Sequence, residues 1–193
     1  MATSTSQALP VQAIAARGAQ LKPALSVPWR PALMQYATAY SDAAQKASLV
    51  QPCMLAAIVA RETGGQNILQ IGMPPGPGCG VGLTQITSNV DWTSPASPAY
   101  PGYGPLLDVA TNLRVCAIEF LDPLLRMFPD NHVAAFAAYN AGPGAITAAL
   151  ARGQSPDALT TGHDYGVAVF ESWINFTAAS IGAGVDWTTY RMP

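Results

Sequence analysis

Residues Ala56–Gln66 read AAIVARETGGQ, and this stretch decides the fold that the sequence predicts. Three apolar residues and one acid recur on one helical face: Leu55, Ile58, Val59 and Glu62. This spacing predicts a buried helix over Pro52–Thr63. Proline suits the first helical position because it lacks an N–H donor, and the Gly64-Gly65 pair can adopt positive φ and end the helix. The stretch therefore places a carboxylate at the end of an apolar helix.

The side chain of Glu62 has two interpretations when the sequence is taken without any relative. Burial on the apolar face would raise its pKa, and a carboxyl group that is protonated near neutral pH can act as a general acid. Alternatively, the side chain pairs with a nearby arginine or points to water at the helix end. Position alone leaves both interpretations open.

The composition is that of a globular domain. The chain has 193 residues, of which 50% are hydrophobic and 10% are charged, with a net charge of −2. No basic stripe points to nucleic acid. The cysteines and histidines do not have zinc-site spacing, so we expect no metal and no cofactor. Buried thiols are expected, with a Cys53–Cys79 disulfide as the alternative.

The pattern along the chain predicts an all-α, mainly helical fold with long Gly/Pro-rich loops, because no alternating strand pair is evident. Loops are expected over 68–82 and 92–105, and a single helical turn over 83–88. Asp122 and Asp164 are candidate helix caps, the former beside a kink at Pro123. Besides the helix at 52–63, the expected helices are Pro31–Ala47, Leu106–Phe128, Asn131–Tyr139, Pro143–Arg152 and Tyr165–Ala179.

The expected domain organisation is an N-terminal arm or linker (1–30), one domain (31–181) and a C-terminal tail (182–193). The N-terminal residues do not show a charged start followed by an apolar run, so we expect no Sec signal peptide. The longest apolar run, Cys53–Ala60, is too short to span a bilayer.

Two further segments suggest a binding corner. Residues 80–86 read GVGLTQI, which indicates backbone bent close to a ligand. Residues 134–145 read AAFAAYNAGPGA. Tyr139 precedes and Asn140 begins a predicted turn over 140–144, and the two offer polar groups at a fixed corner. The alternative for Asn140 is a helix cap in the left-handed conformation.

Together, ARETGG, GVGLTQI and AAYNAGPGAI resemble the lytic transglycosylase family of the lysozyme-like superfamily. The resemblance covers about residues 51–169. It implies a lysozyme-like fold with an active-site cleft among the long loops.

The resemblance also implies that Glu62 is the single catalytic acid. It would protonate the oxygen between N-acetylmuramic acid and N-acetylglucosamine, with assistance from the N-acetyl group, and would then act as base toward the C6 hydroxyl to give a 1,6-anhydro product. The implied substrate-binding residues are Gln85, Tyr139, Asn140, Tyr165 and Thr84. Tyr165 is expected to support Glu62 by a hydrogen bond.

The sequence departs from the family pattern at Thr63 and Thr84, which replace the usual serine and methionine, and it lacks a serine just after the acid. One alternative is therefore a hydrolase similar to goose-type lysozymes, with Asp91 positioning water. Another is an inactive structural or wall-binding module. In each case the expected partner is peptidoglycan in the bacterial cell wall, reached by a holin, a phage virion or a secretion assembly, with the arm as a possible docking segment.

Overall fold

The computed structural model describes residues 29–70, 78–87 and 103–182. Helices in this part of the chain are α1 (Trp29–Met34), α2 (Ala37–Ala44), α3 (Pro52–Glu62), α4 (Tyr103–Leu106), α5 (Val109–Val115), a π-helical segment (Cys116–Leu121), α6 (Asp122–Met127), α7 (His132–Ala141), α8 (Pro143–Ala151), the 3-10 turns Pro156–Leu159 and Thr161–His163, and α9 (Tyr165–Gly182). A two-residue pair, β1 (Gly80–Val81) and β2 (Ile86–Thr87), is antiparallel. The prediction of a mainly helical, lysozyme-like fold is confirmed.

Helix α3 is the centre of the core. Residues 52–60 are all buried, and the helix packs against α9 and α2. Its apolar surface therefore extends all round rather than along one stripe. Gly64 and Gly65 follow with φ of 62° and 88°, so the predicted helix end is confirmed. The acid thus sits at the last position of the most enclosed element.

The predicted continuous helix over Pro31–Ala47 is wrong, because a turn at Gln35 and Tyr36 separates α1 from α2. The N–H of Tyr36 donates to Leu33 O, three residues back, which tightens the chain there. The Tyr36 hydroxyl donates to Gly65 O at 3.3 Å. The turn between α1 and α2 therefore places the Tyr36 hydroxyl at the end of α3.

The long helix expected over Leu106–Phe128 is also interrupted. It begins again at Val109 after α4, and its middle is the π-helical segment. Asp122 is not the cap that we predicted, since its side chain accepts from Leu49 N at 2.7 Å and from Arg126 Nε at 2.9 Å. It thus ties the α2–α3 loop to α6.

The segment 83–88, predicted as a helical turn, contains the turn of a short hairpin as far as it is described. Gly82 with φ 74° and Gln85 with φ 50° reverse the chain between β1 and β2. A bridge between Leu69 and Val81 adds a third extended segment. The hairpin is too short to show strand alternation in the sequence.

The termini of α7 and α9 differ from the predictions in detail. Asn140 lies inside α7 rather than in a turn, and Gly142 makes the left-handed step instead. Asp164 does not cap α9 with its side chain. The carboxylate of Asp157 does so, accepting from Gly166 N at 2.6 Å and Val167 N at 2.9 Å.

The three cysteines are buried thiols, as expected. No helix in the described part of the chain is both long and apolar enough to cross a bilayer.

Candidate active site

An open cleft of about 370 Å³ lies beside the end of α3. One wall is Glu62, and a second is formed by two neighbouring residues of α7. The third wall comes from the extended segments around the hairpin. Its lining is polar apart from one isoleucine: Glu62, Ile68, Gln70, Gln85, Thr87, Tyr139 and Asn140.

The acid is held by a tyrosine from the far end of the chain. The hydroxyl of Tyr165, the first residue of α9, donates a hydrogen bond to Glu62 Oε1. The tyrosine is 3% exposed, so its ring is fixed in the core. Close packing of α9 on α3 brings the two side chains together.

Burial raises the pKa of the Glu62 carboxyl above its ordinary value of 4.5, and this is the largest influence on it. The Tyr165 hydrogen bond and the charge of Arg61 act in the opposite direction. Glu62 is therefore a carboxyl group with an elevated pKa and two stabilisers for its ionised form. Such a group can donate a proton and later receive one.

The hairpin side of the cleft uses the alternation of extended backbone. Gln70 N donates to Gly80 O at 2.9 Å and Gly82 N to Ile68 O at 2.8 Å, which sets the outer segment against β1. Residues two apart in extended chain face the same side. Ile68 and Gln70 follow that spacing, whereas Gln85, with φ 50°, belongs to the turn between β1 and β2, and Thr87 ends β2.

The amide of Gln85 is oriented by its own neighbourhood. Its Nε2 donates to Ile68 O at 3.0 Å and to Gly82 O at 2.9 Å. Carbonyl oxygens can only accept, so these bonds fix which end of the amide is nitrogen. A Cβ on Gly80 would lie 2.7 Å from Gln85 Oε1, so a larger residue there would displace the Gln85 amide.

Thr84 does not bring its side chain into the cleft, contrary to our expectation. It is fully buried, and its hydroxyl donates to Asn112 Oδ1 at 2.8 Å. Its carbonyl instead accepts from the Tyr139 hydroxyl at 2.8 Å. The threonine thus joins the hairpin to α5 and α7, and we do not retain it as a substrate-binding residue.

Asn112 is a supporting residue of the hairpin. Its Oδ1 also accepts from Thr84 N at 3.1 Å, and its Nδ2 donates to Val81 O at 2.9 Å and Leu106 O at 3.1 Å. Every polar capacity of the buried amide is therefore used within the scaffold. Thr63, which replaces the usual serine, adds another link by donating to Leu83 O at 2.9 Å.

Asn140 is exposed at the cleft, and its Oδ1 accepts from Thr161 N at 2.9 Å. This bond orients the amide so that Nδ2 is the end turned away from Thr161. The neighbouring Tyr139 packs edge-on against Phe120, with ring centroids 6.1 Å apart. Its hydroxyl lies 3.6 Å from Cys116 Sγ, at the start of the π-helical segment.

Of the residues selected from the sequence, the structure brings Glu62, Gln85, Tyr139 and Asn140 to one cleft, with Tyr165 directly behind the acid. Asp91 lies outside the described residues. Sequence reasoning missed three lining residues, Ile68, Gln70 and Thr87. The alternating spacing of 68 with 70 was the available signal for the first two, and it was too short to recognise.

The site has the chemistry of proton transfer to a polar ligand. Within residues 29–70, 78–87 and 103–182, no cluster of three His, Cys, Asp or Glu side chains could hold a metal ion. Glu62 is the one carboxylate that lines the described cleft. Amide and hydroxyl groups make up most of the remaining lining.

The residues that line this cleft lie within the part of the chain that a family model matches. No curated protein matches the sequence significantly. The sequence model of the Transglycosylase SLT domain family matches residues 39–160, which include Glu62, the hairpin and the Tyr139–Asn140 corner. The match spans more than half of the chain and indicates activity of the peptidoglycan lytic transglycosylase type. The chain therefore belongs to the SLT transglycosylase family.

Proposed function

We propose that this protein cleaves the β-1,4 bond between N-acetylmuramic acid and N-acetylglucosamine in peptidoglycan and forms a 1,6-anhydro product. Protonated Glu62 donates its proton to the glycosidic oxygen as the bond breaks. The N-acetyl group of the muramoyl unit assists at the anomeric carbon. The Glu62 carboxylate then takes the proton of the C6 hydroxyl as that oxygen closes on the anomeric carbon, and no water is consumed.

The observation that carries this proposal is the setting of Glu62 in the cleft. Burial favours the protonated acid before cleavage, and the Tyr165 hydroxyl stabilises the carboxylate that follows. One carboxyl group serves both steps because the proton that it gives is returned. The single carboxylate among the described cleft residues fits this mechanism.

The orientations of two amides support an N-acetyl sugar as the ligand. Asn140 uses its oxygen on Thr161 N, so its Nδ2 is available as a donor. Gln85 uses its nitrogen on two carbonyls, so its Oε1 is available as an acceptor. An N-acetyl group carries one C=O and one N–H, which match such a donor and acceptor.

The decisive experiment compares three purified proteins on insoluble peptidoglycan. The wild type is expected to clear the suspension. Glu62→Gln should reduce the rate by about 10²- to 10⁴-fold, the usual contribution of a general acid. Glu119→Gln is the matched control, because Glu119 is exposed and does not line the cleft. Equal clearance by the wild type and Glu62→Gln would falsify the assignment of the acid.

The mass of the released fragments separates the anhydro product from hydrolysis. A 1,6-anhydro end is lighter by one water than a reducing end. We expect anhydro ends from the wild type and from Asp91→Asn. Reducing ends that disappear in Asp91→Asn would instead establish the hydrolytic mechanism with Asp91 positioning water. A folded wild type that releases no fragments would support the inactive wall-binding module.

We further propose that residues 31–181 form the catalytic domain, flanked by the arm (1–30) and the tail (182–193). In this proposal the protein reaches the cell wall by holin release, in a phage virion or through a secretion assembly, with the arm as the docking segment. A variant that lacks residues 1–30 should then cleave purified peptidoglycan at the wild-type rate but lose association with the particle or assembly. Loss of cleavage itself would assign the arm to the catalytic domain.

A further inference from the structure

A charged pair connects the residue before the acid with the residue before its tyrosine. Arg61 precedes Glu62, and Asp164 precedes Tyr165. Arg61 Nη2 lies 2.6 Å from Asp164 Oδ1. The same guanidinium stands over the Tyr165 ring, with Cζ 5.6 Å from the ring centroid. The guanidinium therefore contacts both Asp164 and the ring of the tyrosine that donates to Glu62.

The arginine contacts the tyrosine in a way that opposes rotation of the ring. A guanidinium over an aromatic face is attracted by the ring and covers one side of it. The Asp164 carboxylate accepts a hydrogen bond from Nη2 of the same guanidinium. Asp157 and the turn before α9 hold the adjacent backbone, where Tyr165 N donates to Thr160 Oγ1 at 3.4 Å. The tyrosine is thus fixed at its backbone and at its ring.

The titratable groups that face Glu62 come from four elements. Arg61 belongs to α3, Tyr165 to α9, Tyr139 to α7 and Cys116 to the π-helical segment. Burial raises the pKa of Cys116 to about 12 and those of both tyrosines well above 10, so all three are neutral near pH 7. Of these four neighbours, Arg61 is the one that carries a charge.

We propose that Arg61 and Asp164 are positioning residues for the acid. The guanidinium holds the Tyr165 ring against Glu62 and stabilises the Glu62 carboxylate, while Asp164 anchors the guanidinium and neutralises part of its charge. This inference rests on the proposed function, in which the carboxylate forms after proton donation and must then act as a base. The pair would set the balance between the two states of Glu62.

The proposal predicts opposite effects from removing the two partners. The pKa of Glu62 governs the loss of activity at high pH, because the protonated acid starts the reaction. Arg61→Gln removes a positive charge that lowers the pKa of Glu62. The alkaline limb of the pH profile of kcat/KM should therefore move to higher pH. Asp164→Asn keeps a side-chain oxygen that can accept the hydrogen bond from the guanidinium, but it removes the negative charge that compensates Arg61, so the limb should move to lower pH. Side-chain exposures of 34% for Arg61 and 56% for Asp164 limit each shift to roughly 0.3–0.7 pH unit.

The experiment measures pH profiles of kcat/KM on soluble glycan strands at low ionic strength. Arg61→Lys keeps the charge and should leave the limb within about 0.2 pH unit of the wild type, although the ring contact is weaker. Arg114→Gln, an exposed arginine on α5, is the matched control. Salt of about 1 M should shrink both shifts by screening. Shifts in one direction for both variants, or no shift in Arg61→Gln, would overturn the proposal.

A second readout separates this inference from the proposed function. Carboxyl ¹³C NMR titration of Glu62 reports its ionisation without any substrate. The same opposite displacements are expected in Arg61→Gln and Asp164→Asn. If the wild type releases no glycan fragments, the proposed function fails while this titration still decides the role of the pair.

Discussion

Tyr165 donates a hydrogen bond to Glu62 although 103 positions separate the two residues in the sequence. The contact joins the end of the core helix α3 to the start of α9. Glu62 and Tyr165 lie on different helices, so this hydrogen bond forms only when α3 and α9 pack together.

Tyr165→Phe removes the donor while keeping the ring. A hydrogen bond to a charged group contributes about 1.5–3 kcal/mol, so we expect the rate of peptidoglycan cleavage to fall about 10- to 100-fold. Loss of the bond also raises the pKa of Glu62, so the alkaline limb of kcat/KM should move to higher pH. Tyr36→Phe is the control, since its hydroxyl bonds Gly65 O instead. An unchanged profile in Tyr165→Phe would remove the tyrosine from the mechanism.

Glu62→Gln should stabilise the folded protein at neutral pH. The pKa of Glu62 is raised in the folded state above its ordinary value of 4.5. The folded state therefore binds more protons than the unfolded state, and stability falls as pH rises from about the unfolded pKa through the folded pKa. Calorimetry should show a higher Tm for the variant at pH 7 and a difference that vanishes at low pH, where both states are protonated. A destabilised, pH-independent Glu62→Gln would contradict the buried-acid description.

Asn112→Ala should destabilise the hairpin wall. The substitution removes the amide that makes four hydrogen bonds and leaves their buried partners unsatisfied. We expect the free energy of unfolding to fall by about 2–4 kcal/mol. Asn131→Ala is a matched asparagine deletion that removes a helix cap on Ala134 N and should cost about 1 kcal/mol. Urea unfolding measures both values. Equal losses would mean that Asn112 does not hold the hairpin.

Gly82→Ala tests the turn that presents Gln85. Gly82 has φ 74°, and an added Cβ would meet the side chain of Asn112 and lie 2.7 Å from Leu106 O. We expect a loss of at least about 2 kcal/mol and weaker glycan binding. Gly144→Ala in α8 meets nothing within 4 Å and should be neutral or stabilising by up to about 1 kcal/mol. Thermal unfolding compares the two, and a tolerated Gly82→Ala would show that the turn can relax.

The sequence predicts those secondary-structure elements that are determined by residues within the element itself. The extent of α3 follows from its apolar residues, from Pro52 at the start and from Gly64-Gly65 at the end, and the structure agrees within one residue. The cap predictions for Asp122 and Asp164 were wrong because contacts with Leu49 and Arg61, which are distant in sequence, hold these carboxylates. An aspartate before Tyr165 has the position of a cap, yet Asp164 pairs with Arg61 and Asp157 supplies the acceptor for α9.

The candidate site likewise contains residues that local motifs predict and residues that only tertiary contacts bring into place. Motif resemblance selected Glu62, Gln85, Tyr139 and Asn140, which line one cleft. The third wall depends on pairing between residues 68–70 and 80–82, which no local pattern encodes. Thr84 lay within a recognised motif, but burial against Asn112 turned its side chain into the scaffold.

The enclosure of α3 has a consequence for how the acid can move. Residues buried on all sides exchange their amide hydrogens only when the whole domain opens, whereas loops open individually. Glu62 is the last residue of this helix, and the N–H groups of Thr63 and Gly64 both donate to Val59 O, so we expect its backbone to move little relative to the core. In the proposed mechanism the proton donor therefore keeps its place relative to the core, and the glycosidic oxygen must be brought to it.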